Sequence, residues 1–192
     1  VTSGAAHACS VSVDGVAYCW GSNTGGALGD STLVQRLNPV AVKTARLFTS
    51  ISGGQAHSCA LTSAGEASCW GENSKGQLGV GNTTARLIPT TVTGGIAFGV
   101  GQPGFDHTCG VSTSNGLYCW GGNSNGQLGN GTSSPTSTQV TPLSLTGSWT
   151  QVTAGFSYSC GVRSTTAGNC WGGNSEGQLG DSSKSQRTSP TL

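Results

Sequence analysis

Apolar and polar residues alternate in short runs along this chain, and the runs come in pairs separated by three residues. One pair reads His57-Ser58-Cys59-Ala60-Leu61-Thr62, then Ser63-Ala64-Gly65, then Glu66-Ala67-Ser68-Cys69-Trp70. Alternation with a period of two predicts strands, and a short connection ending in glycine predicts a hairpin. A three-residue loop closed by a left-handed residue at Gly65 sets Thr62 opposite Glu66, and counting back sets Cys59 opposite Cys69. The same count pairs Cys9 with Cys19 across Val13-Asp14-Gly15. Asn115 takes the left-handed position in a third hairpin, which asparagine tolerates; Thr166 stands there in a fourth, where an altered turn is expected.

The hairpins recur at a fixed interval. Cys19, Cys69, Cys119 and Cys170 each open a Cys-Trp-Gly run, so the spacing is 50, 50 and then 51 residues, which marks a repeat array. One period holds four strands, taken in the second copy as Val40 to Val42, Arg46 to Ser52, Ser58 to Thr62 and Glu66 to Trp70. In that phase the repeats run 1–38, 39–88, 89–138 and 139–189, and 190–192 starts a further strand. The first repeat is then incomplete, because Val1-Thr2-Ser3-Gly4 aligns with Ile51-Ser52-Gly53-Gly54, while Pro190-Thr191-Leu192 aligns with Pro89-Thr90-Thr91.

Each repeat carries two cysteines ten positions apart: Cys9 and Cys19, Cys59 and Cys69, Cys109 and Cys119, Cys160 and Cys170. Residues facing each other on neighbouring strands have Cα atoms about 4.5–5.5 Å apart, within reach of a disulfide. Four bridges, one per repeat, are the favoured reading over free thiols. Zinc fits less well, since structural zinc sites place cysteines two to four residues apart and no such pair occurs.

Composition changes the picture in three ways. Eight cysteines in even pairing belong to an oxidising compartment, so a secreted or extracellular location is expected. With 8% charged residues and a net charge of +1 there is no electrostatic footprint for a phosphate backbone, which argues against nucleic acid. The 33 glycines do not signal disorder, because Trp, Leu and Val recur in every period and supply a core. The chain has no methionine and no apolar run long enough for a signal peptide or membrane span, which reads as a processed mature chain or a fragment. Asn82-Thr83-Thr84 and Asn130-Gly131-Thr132 satisfy the glycosylation pattern at Asn82 and Asn130.

After the tryptophan comes a second signature, Gly71-Glu72-Asn73-Ser74-Lys75-Gly76-Gln77-Leu78-Gly79, matched at Gly121 to Gly129 and Gly172 to Gly180, and more loosely at Gly21 to Gly29. Its asparagine can hold a tight turn, its glycines permit left-handed backbone, and its leucine can fill a gap between sheets. Leu78, Leu128 and Leu179 are therefore expected to be buried. Trp20, Trp70, Trp120 and Trp171 read as core residues whose indole N–H finds a carbonyl; a carbohydrate-binding ring is the alternative.

This run resembles the repeat of the regulator of chromosome condensation family, as do Gly54-Gln55-Ala56-His57 before it and Ile88-Pro89 after it. Thr24-Gly25-Gly26-Ala27, Gly101-Gln102-Pro103 and Tyr158 in place of histidine depart from the pattern. The resemblance implies a seven-bladed β-propeller fold. The fold class expected here is all-β: a propeller-like array of four four-stranded blades, one disulfide in each, forming part of a larger ring or an open assembly. His7, His57 and His107 recur at one place and could ring an axis around a metal, but a histidine bonded to neighbouring backbone is the family's pattern, and no metal or other cofactor is assigned. Catalytic chemistry is not indicated: no Gly-x-Ser-x-Gly elbow occurs, and Asp14, Asp30, Glu66, Glu72, Asp106, Glu176 and Asp181 fall mostly in turns.

Four blades shaped for a seven-fold ring sweep little more than half a circle, and the exposed ends need a cover. Further blades, a second copy closing a ring, or head-to-tail addition into a filament would supply it. The favoured function is a secreted, non-catalytic scaffold that self-assembles, with Val1, Thr2 and Ser3 accepting a strand donated by Pro190, Thr191 and Leu192 of a neighbour. The alternative is an extracellular propeller that binds or inhibits another protein, although the variable loops are mainly Ser, Thr, Gly and Asn, with exceptions at Phe105 and Phe156. Nucleotide exchange on the Ran GTPase, a third function implied by the resemblance, suits the cysteine pairing poorly.

Overall fold

The computed structural model describes residues 1–134, 136–142, 147–164 and 168–192. Among the described residues sixteen strands form four antiparallel sheets, each joining four strands consecutive in sequence. The first sheet holds β1 (Thr2–Ser3), β2 (His7–Val11), β3 (Ala17–Gly21) and β4 (Arg36–Ala41). The second holds β5 (Ser50–Gly53), β6 (His57–Leu61), β7 (Ala67–Gly71) and β8 (Arg86–Thr91). The third holds β9 (Phe98–Pro103), β10 (His107–Ser112), β11 (Leu117–Gly122) and β12 (Thr136–Pro142). The fourth holds β13 (Trp149–Ala154), β14 (Tyr158–Arg163), β15 (Gly168–Gly172) and β16 (Arg187–Thr191).

The central hairpins follow the turn chemistry. Gly15, Gly65 and Asn115 have φ of 83°, 78° and 64°, and Thr62 N–H donates to the Glu66 carbonyl at 3.1 Å. That register brings Cys59 opposite Cys69, and the same pairing holds for Cys9 with Cys19, Cys109 with Cys119 and Cys160 with Cys170. All four pairs are disulfides with Cα atoms 4.1 Å apart, one in each sheet. The turn expected at Thr166 lies outside the described residues.

The sheets are cut one strand later than the sequence reading placed them. Residues 40 and 41 end β4, which pairs with β3 of the first sheet, with Cys19 opposite Val40; they do not open the second. Likewise Pro190 and Thr191 lie in β16, whose Thr191 faces Cys170 of the same sheet. The first sheet is therefore not short of a strand, and the C-terminal segment is not left over for donation. The physical reason is that a period of four strands repeats equally well from any starting strand, so periodicity leaves the phase open. The segment between β4 and β5 settles it: Val42 and Phe48 are buried, and Phe48 N–H donates to the Gly15 carbonyl at 2.8 Å, carrying the chain across to the next sheet.

Successive sheets pack face to face, and the apolar core consists of three separate clusters, one at each junction. At the first junction the Cys9–Cys19 bridge and Leu28 of one sheet meet Phe48, Ala60 and Trp70 of the next. Strand alternation explains this: odd-numbered positions such as Cys9 and Cys19 face forward, and Ala8, Ser10, Tyr18 and Trp20 face the opposite way.

Candidate functional site

What this molecule builds with most regularity is the junction between sheets, and its open ends. Each junction begins from the loop after the tryptophan. The Asn23, Asn73, Asn123 and Asn174 Oδ1 atoms accept from the backbone N–H of Leu28, Leu78, Leu128 and Leu179 at 2.9–3.0 Å. Their amide nitrogens donate across the loop, for example from Asn73 to the Asn82 and Thr84 carbonyls at 2.9 Å. Pinned in this way, the loop sends Leu28, Leu78 and Leu128 into the junctions and aims the carbonyl of the preceding residue at the next sheet.

That carbonyl is the centre of the junction. The Ala27 carbonyl accepts from Trp70 Nε1 at 2.9 Å and from Ser58 Oγ at 2.9 Å. Gln77 takes Trp120 and Thr108 at 2.9 and 2.8 Å, and Gln127 takes Trp171 and Ser159 at 2.8 and 3.0 Å. The same three hydroxyls each meet a histidine Nε2 of the preceding sheet: His7 to Ser58 at 2.9 Å, His57 to Thr108 at 3.0 Å and His107 to Ser159 at 2.8 Å. Since each hydroxyl has one proton, already given to the carbonyl, the histidine must donate from Nε2–H. A further backbone bond closes each junction near the axis, from the N–H of Ala5, Gln55 and Phe105 to the carbonyls of Gly54, Gly104 and Gly155.

The Nδ1 atom of His107 lies 3.9 Å from Asp106 Oδ1, whereas the tautomer leaves that of His57 buried without a hydrogen-bond partner. Protonating His57 would place an N–H⁺ there with no acceptor, and burial, helped by His107 and His7, pushes its pKa down to about 3. The sign of the linkage follows. In the unfolded chain His57 takes a proton near pH 6.5, whereas in the folded chain it does so near 3. The unfolded state thus binds more protons over that window, and stability is lost as pH falls from about 6.5 towards 3. Urea unfolding at pH 7 and pH 4 should show a smaller loss in His57→Gln than in the wild type; equal losses would remove this histidine as a cause.

The predicted site residues are distributed as follows. All eight cysteines are bridged and six of them are buried, with Cys160 and Cys170 half-buried on the last face. Trp70, Trp120 and Trp171 are buried in junctions and unavailable as sugar platforms, whereas Trp20 is half-buried on the first face. Leu78, Leu128 and Leu179 are buried. The three histidines lie in separate junctions, and among the described residues no group of three or more His, Cys, Asp or Glu side chains is placed to hold a metal ion. Asn82 is exposed and Asn130 half-buried, and each Oδ1 accepts from the N–H two residues on, at 3.0 and 3.1 Å. Phe105 and Phe156 pack against each other with ring centroids 4.0 Å apart and planes tilted by 39°, next to Gln55 and Pro103, and Phe156 is 65% exposed. Sequence reasoning passed over Phe48, Phe98 and Trp149, and the hydroxyls of Ser58, Thr108 and Ser159. Both sets recur at the repeat spacing, which was the signal available.

The two ends of the array expose the two halves of a junction. On the last face Gly177, Gln178 and Gly180 are more exposed than their counterparts Gly76, Gln77 and Gly79. A Cβ on Gly79 would lie 2.7 Å from Trp120 Nε1, whereas one on Gly180 would meet nothing within 4 Å. The first face carries Trp20, half-buried, and Leu37, 84% exposed, where Trp70 and Leu87 sit against a neighbour in the second sheet. Among the described residues no helix is long and apolar enough to cross a membrane.

Comparison with known proteins agrees with this architecture. Two models of the regulator of chromosome condensation (RCC1) repeat match, one over residues 14–61 and 65–102, the other over 48–77 and 104–127, which together span more than half of the 192 residues. A search of curated proteins found no match. Among solved structures, human WBSCR16 is 21% identical with a TM-score of 0.82, over 97% of this chain and 49% of that one. Prp20p from Saccharomyces cerevisiae is 19% identical with a TM-score of 0.87, over 97% of this chain and 48% of that one. The ectodomain of the Physcomitrella patens receptor kinase CR4 is 24% identical with a TM-score of 0.58, over 89% and 38%. The chain thus spans about half the length of the two higher-scoring structures, and these likenesses speak for the fold. With the repeat matched in sequence and its blades in structure, the chain belongs to the regulator of chromosome condensation (RCC1) repeat family.

Proposed function

We propose that this chain is a secreted, non-catalytic scaffold whose copies associate head to tail through the faces of their first and last sheets. The observation that carries the reading is the asymmetry of the junction. Every internal junction joins a donor face, with its tryptophan and hydroxyl, to an acceptor face, with its carbonyl, leucine and disulfide, and each end of the array exposes one of the two, the first with Ala8 in the hydroxyl's place. Heterologous contacts of this kind close into rings or continue as filaments. Two copies supply eight blades, one more than a seven-bladed ring holds, so two copies either relax to a slightly wider ring and close, or rise out of plane and continue as a filament. Four disulfides suit an oxidising, extracellular setting, where Asn82 and Asn130 could carry glycans. Since β16 pairs within its own sheet, face packing replaces strand exchange as the mode of association.

The test is the size of the purified 192-residue chain. Sedimentation velocity over a range of micromolar concentrations should show growth into multi-chain species, and Trp20→Arg, on a face that touches no other sheet of the same copy, should abolish it while the disulfides remain formed. A stable wild-type monomer would overturn the reading. A second reading, a propeller that binds another extracellular protein, is favoured by the paired Phe105 and Phe156 rings, of which Phe156 is 65% exposed. In that case Phe156→Ser removes binding of the partner and leaves the size of the chain unchanged.

A further inference from the structure

The three internal junctions share a histidine on one side and a hydroxyl on the other: His7 with Ser58, His57 with Thr108, His107 with Ser159. The array departs from this rule at two positions only, and they are the two open ends. Tyr158 stands on the last sheet where the histidines stand, and Ala8 stands on the first sheet where the hydroxyls stand. Registers confirm the equivalence: Tyr158 faces Gly172 as His57 faces Gly71, and Ala8 faces Trp20 as Ser58 faces Trp70. The Tyr158 ring also lies against Gly155 as the His57 and His107 rings lie against Gly54 and Gly104, with no room for a Cβ on any of those glycines. It therefore points along the same line, out of the last face.

We infer that Tyr158 of one copy packs against Ala8 of the next, so that the junction between copies is keyed by a pair that no internal junction contains; this rests on the head-to-tail reading above. A phenol reaches further than an imidazole from the same backbone position. A serine or threonine opposite would crowd it, and an alanine clears the space. The hydroxyl lost at Ala8 is returned from the other side as the Tyr158 O–H, and Trp20 Nε1 is left to find the Gln178 carbonyl as Trp70 finds that of Ala27. The mismatch also has a selective effect. A last face bearing Tyr158 fits poorly on the Ser58, Thr108 or Ser159 faces, so a second copy is directed to the first sheet and not between internal ones.

A two-position exchange tests the pairing. Tyr158→His leaves an imidazole opposite a methyl, and Ala8→Ser sets a hydroxyl against the phenol, so each alone should weaken association by about tenfold or more, roughly 1.4 kcal/mol. The double variant recreates the internal His–Ser pair and should return to within about threefold of the wild type, as expected for coupled positions. Association is read by sedimentation, and near-ultraviolet circular dichroism and thiol titration show that each variant is folded with its bridges intact. Single variants that associate like the wild type, or a double variant no better than the worse single one, overturn the pairing while the assembly reading stands. A wild-type chain that stays monomeric overturns both, and leaves further repeats of a longer chain as the occupant of these faces.

Discussion

Replacing Trp120 by alanine is expected to destabilise the fold by about 3–5 kcal/mol, the range for deleting a large buried aromatic ring. Trp120 is 1% exposed and packs with the Cys59–Cys69 bridge, Leu78, Val92 and Phe98, so its loss opens a cavity in the middle junction that the neighbouring strands are too constrained to fill. Trp120→Phe separates the two contributions. It keeps most of the apolar contact but removes the Nε1–H that reaches the Gln77 carbonyl, which retains only the Thr108 hydroxyl. A loss of about 1–2 kcal/mol is expected for the phenylalanine variant. Urea unfolding with disulfides intact measures both, and a loss below about 1 kcal/mol for Trp120→Ala would show that the ring does not hold two sheets together.

Breaking the disulfides is expected to have the largest effect of all. Each bridge closes a span with a sequence separation of 10, for which loop-closure entropy gives about 3 kcal/mol. Replacing Cys109 and Cys119 together by serine should cost about that amount. Full reduction removes about four times 3, or 12 kcal/mol, which is comparable with the whole stability of an ordinary domain, so the reduced chain should unfold. Three of the bridges, Cys9–Cys19, Cys59–Cys69 and Cys109–Cys119, also lie inside the junction clusters, so their loss extends beyond each hairpin to the sheet packed upon it. Non-reducing peptide mapping should find the four within-sheet pairs. Cys19 joined to Cys59, or free thiols in folded protein, would contradict the register, and a fully reduced chain that keeps a cooperative unfolding transition would contradict the energetics.

The two effects share one organisation. Stability in such an array is close to a sum of units and nearest-neighbour contacts, so a defect in one junction weakens its two sheets more than distant ones. The end sheets have one neighbour each instead of two. Trp20 and Gln178 are correspondingly only half-buried and Gly180 is exposed, and it is these residues that association would bury.

Much of the architecture was decided locally and was therefore legible in the residues. A left-handed glycine or asparagine three positions into the connection dictates the hairpin register, and that register alone sets each cysteine opposite its partner. The Asn-x-x-Gly-x-Leu spacing dictates a loop pinned by its own asparagine, because the acceptor and the leucine N–H are five residues apart. Which strands share a sheet was decided only by the tertiary structure. The period contains four strands whichever is counted first, and the choice rests on contacts such as Phe48 N–H with the Gly15 carbonyl, 33 positions away in the chain. The role of the histidines was likewise beyond the sequence: His57 and Thr108 are 51 residues apart and meet only because one sheet is laid on the next. The same holds for Ala8 and Tyr158. In the sequence they are two unrelated departures from a repeat, and only the stacking of the sheets shows that they stand on the two opposite faces the array leaves open.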